Sequence, residues 1–518
     1  MSGLLSMDSP QATTLLTVAA ATTVLLLLKA LSARKDNLPP GPRRLPVVGS
    51  ALQMPRSHPW LTFAEWAKIY GSIVYADVVG QPLIILNSRK AAMDLLDGRS
   101  AIYSDRPRNL VMAILSGYAE TFAMKPYGED WRQQRKIVMQ DFSQTAITRY
   151  SSIQEREGRK LVWNILHKPS SLRSEIKLRL GSMIIRVTYG HTLTGDDDPM
   201  LTSPLTAMNN FSKATQPGAW LVDFVPSLQF LPKWMPGAGF LKTASEWRRI
   251  VHNTSWNAYL WTKNNLESGK VLVPNMCATV LESVDKNPST EQEAHLVWSA
   301  SAVMGGGMDT NMSTLLILFL AMMLNPAIQA KARKELDDII GQDRLPTIAD
   351  KASLPYIKSV MVEVFRWNPA IPLGVAHALT KDDIYEGMYL PKGSLMIPNV
   401  WYMLHDPEVY PNPHEFNPDR YGLDDSEMNK VTDIMFGFGR RVCPGRLFAE
   451  ATFFTVVSTI LSTCEILPPV NAQGQKVIPE ITFTNGTIIF PSDFDVNIKC
   501  RSEKAREMLR SIQADEAI

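Results

Sequence analysis

The chain opens with an uncharged run, Ala12 to Leu28, rich in Ala, Thr, Val and Leu, which resumes after Lys29 as Ala30 and Leu31. With Lys29 reaching out to the interface, residues 12–31 match the roughly 20 apolar residues that span a bilayer. Lys29, Arg34, Lys35, Arg43 and Arg44 follow the run and no Lys or Arg precedes it. That asymmetry places the main body on the cytosolic side. A cleaved signal peptide would carry its basic residues ahead of the apolar run instead. Leu38-Pro-Pro-Gly-Pro-Arg-Arg-Leu-Pro46 then reads as a stiff hinge. The pattern predicts an anchor and flank over 1–37, a hinge over 38–46, and a single domain over 47–518, where no linker, repeat or low-complexity tract intervenes.

Alternation of apolar and polar residues from Tyr70 to Asn87, around Gly71, Gly80 and Pro82, predicts a small β-sheet. Tyr127-Gly-Glu-Asp-Trp131 opens a helix with acid in its first turn, and Trp131 and Arg135 share a face. Helical segments continue to about residue 340, broken by proline clusters between 217 and 238. Glu291 to Leu324 predicts one long helix ended by Asn325-Pro326. Leu354–Trp367 and Leu447–Ser462 predict two more, the latter uncharged apart from Glu450. The β pattern returns from Pro372 to Pro398, and proline-rich coil covers 407–420. Asn485-Gly486, within Thr482–Ile489, predicts a hairpin with a type I′ turn. The expected fold class is mostly α with small β-sheets.

Composition narrows the function. The 518 residues, 45% hydrophobic and 20% charged, can bury a large core, and a net charge of +2 argues against a nucleic-acid partner. Cys277, Cys443, Cys464 and Cys500 include no C-x-x-C pair, so neither a disulfide scaffold nor a zinc site is implied, and a reducing compartment suits them. The sequons at Asn210, Asn253, Asn311 and Asn485 would stay unused in a cytosolic body.

Chemistry concentrates in Phe436-Gly-Phe-Gly-Arg-Arg-Val-Cys443-Pro-Gly445. Gly437, Gly439, Pro444 and Gly445 make a tight loop whose backbone can approach a flat ligand and aim N–H groups at sulfur. Arg440 and Arg441 favour a thiolate and can pair with carboxylates on a cofactor. The following helix points its N-terminus at the cysteine, which also favours the anion. A buried structural cysteine is the bland alternative. The spacing Phe436-x-x-Gly439-x-Arg441-x-Cys443-x-Gly445 resembles the haem-binding signature of the cytochrome P-450 superfamily. That resemblance implies the cytochrome P-450 fold, haem b with Cys443 as axial ligand of its iron, and Phe436, Gly439, Arg441 and Gly445 around it.

Three glycines, Gly305 to Gly307, interrupt the long helix at a cost of about 1 kcal/mol each against alanine. Close helix packing through small residues would account for them, as would a locally widened helix making room for a ligand. Gly306-Gly307-Met308-Asp309-Thr310-Asn311 is similar to the superfamily's oxygen-activating motif, with Asn311 in place of a hydroxyl residue. By resemblance, Thr310 and Asp309 deliver protons during oxygen activation. Glu363-x-x-Arg366 with Arg420, in Phe416-Asn-Pro-Asp-Arg420, resembles the structural Glu-Arg-Arg triad. Trp131 and Arg135 match a Trp-x-x-x-Arg pair that contacts haem propionates. His377 falls where relatives place a basic propionate contact, although a core histidine fits equally.

The resemblance runs from anchor and hinge to the terminal hairpin. It implies a monooxygenase using molecular oxygen and NADPH-derived electrons from a separate FAD/FMN reductase, with cytochrome b5 as a further partner. The setting would be the endoplasmic reticulum membrane, single-pass, with the catalytic domain in the cytosol. Arg132, Lys136, Arg440 and Arg446 would form a basic docking face for the reductase. A haem-binding sensor and a haem-thiolate isomerase or dehydratase are the competing classes. Tyr127-Gly-Glu-Asp-Trp-Arg, Pro372-Leu-Gly-Val-Ala-His377 and Met403-Leu-His-Asp-Pro-Glu-Val-Tyr-Pro look like fungal, mushroom-type members. Met112, Ile114, Leu115, Phe122, Val303, Ile371 and Leu373 are the expected apolar pocket lining, with further walls near 204–241 and Asn485. A small hydrophobic substrate follows, a terpenoid or related secondary metabolite; indoles or aromatic xenobiotics are the alternative.

Overall fold

A computed structural model describes residues 37–514 apart from 217, 271 and 284–287, together with residue 22. The expected membrane span over 12–31 lies, Thr22 aside, outside the described residues. The hinge is fastened to the body, since Tyr75 N–H donates to the Pro40 carbonyl at 2.9 Å.

Helix α1 (Pro59–Tyr70) leads into β1 (Ile73–Val78) and β2 (Gln81–Leu86), an antiparallel pair closed by Val79-Gly80. Both turn residues have positive φ, 53° and 85°, the type I′ geometry whose twist suits a hairpin. A helical body follows: α2 (Glu129–Asp141), α3 (Ser151–His167), α4 (Leu172–Tyr189), α5 (Pro199–Ala214), α6 (Gly239–Glu267), α7 (Thr290–Leu324), α8 (Pro326–Ile339) and α9 (Pro355–Trp367). Then come β3 (His377–Ala378), β4 (Asp383–Tyr385), β5 (Met388–Leu390) and β6 (Leu395–Pro398). The chain ends with α10 (Asp425–Phe436), α11 (Arg446–Thr463), β7 (Cys464–Leu467), β8 (Asn497–Cys500) and α12 (Glu503–Ala514). The main sheet has order β1-β2-β6-β3, with β6 parallel to β2 and antiparallel to β3. β4–β5 and β7–β8 form separate antiparallel ribbons. The mostly α class with small sheets is as expected.

Helix α7 is the axis of the core. It starts at a capping box, in which Ser289 Oγ accepts from Gln292 N–H at 3.2 Å and Gln292 Oε1 accepts from Ser289 N–H at 2.9 Å. It stops where Pro326 begins α8. By length and hydropathy α7 could cross a bilayer, but its most apolar window is 78% buried inside the fold, against α2, α4, α6, α9 and α11. The glycine triplet does not widen it, because residues 290–324 are α-helical throughout. Two of the glycines serve packing instead. A Cβ on Gly305 would lie 2.8 Å from Met208 Sδ, and one on Gly307 would lie 2.9 Å from Ile184 Cδ1.

The type I′ turn expected at Asn485-Gly486 is not formed, since neither residue has positive φ. Thr484 N–H donates to Phe490 O at 2.9 Å across a wider loop. Asn485 Oδ1 accepts from His58 N–H at 3.0 Å, so a tertiary partner outweighs the local turn preference.

Candidate active site

The cysteine loop joins α10 to α11. Gly437 and Gly439 turn the chain with φ of 84° and 58°. At Gly439 nothing else fits, because a Cβ there would stand 2.1 Å from the Leu96 carbonyl oxygen. Cys443 N–H donates to Phe436 O at 2.8 Å and closes the loop. Gly445 is the N-cap of α11, so the cysteine meets the positive end of that helix. Phe436 packs edge-on against Phe365 of α9, with ring centres 5.7 Å apart. Burial pushes the Cys443 thiol up, while the Gly445 N–H and the nearby Arg135 and Arg446 guanidiniums pull it down. A metal would complete that deprotonation.

Around the thiol lies an excess of buried positive charge. Arg135, on α2, is close enough to act on Cys443 and on Arg441; among the described residues it has no hydrogen-bond or ion-pair partner. Trp131, one turn earlier, is buried with its Nε1–H unpaired. Arg441 stacks 4.7 Å over the Trp131 ring. Its guanidinium donates to the carbonyls of Ser104, Phe122 and Lys125, each at 2.8 Å. Arg441 is therefore first a latch on the 104–125 segment, and burial holds its pKa down to about 10.

Sequence reasoning missed Arg106. It is 5% exposed and donates to Ala123, Val375 and Ala376 carbonyls at 2.7–2.8 Å. An arginine locked before Pro107 was the available signal. His377, on β3, is buried and donates from Nδ1 to Tyr103 O at 2.8 Å. Burial and the neighbouring Arg106 and Arg441 hold its pKa down at about 3. With Nδ1–H donated to that carbonyl, a neutral ring leaves Nε2 as an acceptor, so without a tautomer change it has no N–H to give a carboxylate. The core-histidine alternative describes its bonding in this structure.

Arg106, Arg135 and Arg441 thus share one region, in which the Asp105 carboxylate offsets part of their charge. An unpaired indole N–H, an unpaired guanidinium and a surplus of buried cations beside a thiol at a helix N-terminus fit a flat, dianionic, metal-bearing group. Haem, with two propionates and a thiolate-seeking iron, has that chemistry.

On α7, Gly306 and Thr310 lie four apart on one face. A Cβ on Gly306 would meet nothing within 4 Å, so this face is open where the other two glycines are closed. Thr310 Oγ1 donates to the Gly306 carbonyl at 2.8 Å. Asp309 is half-buried; burial raises its pKa and the charge of Lys177 lowers it. Asn311 Nδ2 donates to Gly307 O at 2.7 Å and is spent on the helix backbone.

Glu363, Arg366 and Arg420 come together in one buried charge cluster. Glu363 and Arg366 are fully buried and joined by two bonds of 2.8 Å. Arg420 Nε donates to Glu363 at 3.1 Å, and Tyr421 Oη and Asn417 N–H each add a 2.8 Å bond. Arg366 also donates to the carbonyls of Leu404, Pro413 and Glu415, so this charge cluster holds the 404–421 coil that precedes the cysteine loop.

Met112 is fully buried in a cluster with Tyr118, Ala207 and Val222, and Leu373 packs on the sheet beside Val74 and Ile85. Phe122 belongs to the main core. Apolar loop residues spend their surface on one another before any ligand. Of the basic docking face, Arg132 is paired with Glu129 and Arg446 with Glu450 and Asp433, while Arg440 lies over Tyr127.

Comparison with known proteins bears on this geometry. The family described as Cytochrome P-450 matches residues 39–490. Cytochrome P-450 monooxygenase 105 of Postia placenta is 50% identical over 476 residues, covering 92% of this chain and 91% of that protein. Monooxygenase 45 of the same fungus is 45% identical over 511 residues, covering 98% and 97%. Cytochrome P-450 monooxygenase claR of Ampulloclitocybe clavipes is 37% identical over 513 residues, covering 98% and 95%. A thiol presented at a helix end among unpaired cations is thus the local expression of a likeness that spans the chain, which belongs to the cytochrome P-450 family as a monooxygenase of the basidiomycete kind.

Proposed function

We propose that this monooxygenase hydroxylates or otherwise oxidises a small, uncharged, hydrophobic molecule, a terpenoid or related secondary metabolite, on the Gly306–Thr310 face of α7. Haem, when bound, supplies oxygen activation; the chain supplies the thiolate, the binding surface and the protons. The observation that carries the reading is the character of that face. It is open at Gly306, is flanked by the half-buried apolar Val303, and offers one hydroxyl at Thr310. Asp309, whose carboxyl burial pushes up, is suited to holding and releasing a proton. Such a face orients a hydrocarbon by shape and gives an anion or amine little to grip.

Electrons from NADPH through a FAD/FMN reductase complete the cycle in this reading, with attachment to the endoplasmic reticulum membrane and the body in the cytosol. Support for the membrane comes from the surface as well as from residues 12–31. Leu52, Leu221, Phe230 and Trp234 are 67–81% exposed, an unusual price in apolar surface for a protein wholly in water. Ala51, Met54 and Phe224 all pack against the buried cluster of Phe63, Trp66, Val74 and Ile85, so the post-hinge segment and the 221–234 segment flank one core.

Optical titration of the purified haem protein against terpenoid scaffolds, indoles and polycyclic aromatics tests the substrate class. Saturable spin-state shifts with terpenoids are expected. Shifts confined to indoles or planar aromatics would replace the terpenoid reading.

A further inference from the structure

Two thiols far from the cysteine loop face each other across the last ribbon. Cys464 is the first residue of β7 and Cys500 the last of β8, and they are direct partners in the antiparallel register. Directly opposed residues have side chains on one face and Cα atoms about 4.5–5.5 Å apart, inside the range of about 4.4–6.8 Å that a disulfide accepts. Both sulfurs lie against Thr463, Cys464 Sγ 3.5 Å from its Oγ1 and Cys500 Sγ 3.6 Å from its carbonyl oxygen, so they sit at the same end of the ribbon. Cys464 is buried and Cys500 partly exposed.

We propose that Cys464 and Cys500 form a reversible dithiol–disulfide pair, oxidised by a hydroperoxide, which staples the end of α11 to β8. The roles follow from the asymmetry. The neighbouring Cys464 lowers the Cys500 pKa to about 6, against the opposing effect of burial and with help from the Ser502 backbone and Arg506. Cys500 is the accessible nucleophile, and buried Cys464, whose pKa is raised, is the resolving thiol. The Cys500 thiolate attacks the peroxide O–O bond, takes one oxygen as S–OH and releases the other as water or alcohol once protonated. The Cys464 thiol then attacks that sulfur, forming S–S, and its proton leaves with the hydroxide as water. The peroxide gains the two electrons that the thiols lose, and a dithiol reductant reverses the step.

The cross-link would close a ring from 464 to 500 that contains a segment bonded to α7. Within it Ile489 N–H donates to Ala370 O at 3.0 Å, and Ile489 O accepts from Ser313 of α7 at 2.5 Å. Oxidation therefore restrains a loop that touches both α7 and the 370–375 segment.

The test uses the full-length haem protein, treated with hydrogen peroxide, quenched with an alkylating reagent and mapped by peptide mass. A Cys464–Cys500 linked peptide is expected, reversed by a dithiol, with fully buried Cys277 still reduced. Before oxidation Cys500 should alkylate at neutral pH at least ~10-fold faster than Cys277. Cys500→Ser should abolish the linked peptide. If that variant does not fold, the wild-type series decides alone. Two free thiols throughout, or Cys500 carried to a sulfinic acid with Cys464 untouched, would overturn the proposal.

Discussion

Thr310 shows how much one side chain can be asked to do. Its hydroxyl donates to the Gly306 carbonyl, four residues back, which fixes the oxygen on the open face of α7 with its lone pairs outward. Removing that oxygen leaves the helix and the cysteine loop untouched but, in the proposed function, deletes a proton-relaying group. Thr310→Ala is expected to keep full haem content while NADPH consumption, measured with a reductase, yields peroxide in place of product. Tight coupling in the variant would contradict the role. At this scale the sequence was most readable where a motif is contiguous, as at Cys443 and Glu363-x-x-Arg366. Arg106 was not readable, because its importance comes from burial beside Arg441 and His377, which only the tertiary fold creates. His377 was readable as a position but not as a bond: a carbonyl of Tyr103 captures its N–H.

Among elements, α7 separates two packing glycines from an open one. Gly305 and Gly307 are closed by Met208 and Ile184, whereas Gly306 is open. Gly306→Ala should therefore stabilise the protein by up to about 1 kcal/mol in urea unfolding, through helix propensity alone, while lowering turnover by filling the face beside Thr310. Gly305→Ala should instead destabilise, because Met208 must move. Equal effects of the two substitutions would remove the distinction. The run of glycines announced that this helix was special, but which glycine packs and which opens depends on neighbours from α4 and α5. Asn485-Gly486 failed as a turn signal for the same reason, since Asn485 is held by His58 from the far end of the chain. Val79-Gly80, a poorer turn pair on paper, takes the type I′ geometry because β1 and β2 are tightly paired on either side.

Across the whole molecule, the buried charge cluster and the buried histidines govern stability. Arg366 and Glu363 are each 0% exposed, so Arg366→Ala strands a carboxylate and should cost about 3–5 kcal/mol, read as loss of soluble, haem-loaded protein; a normal holoprotein would refute the assignment. His405 is buried beside Arg366, and burial first, then that charge, depresses its pKa to about 3. His377 is depressed to about 3 as well. The unfolded chain therefore binds protons that the folded chain refuses. This stability is fully present above the unfolded value near 6.5 and is lost as pH falls toward 3, at about 1.4 kcal/mol per pH unit for each histidine. Urea midpoints should fall steeply below pH 6.5, and His405→Asn, if folded, should flatten that slope. The order of motifs along the chain was enough to anticipate the fold class, whereas the pocket lining was not: apolar patterning marks Met112 and Leu373 as buried without saying against what.

The central claim is that Cys443 presents a thiolate to haem iron. The reduced, carbon-monoxide-bound absorption spectrum reports that ligand directly. Wild-type protein should show the strongly red-shifted Soret band of thiolate-ligated haem, and Cys443→Ser should lose it even where some haem is retained. The same red-shifted band in Cys443→Ser, or its absence from fully haem-loaded wild-type protein, would contradict the account.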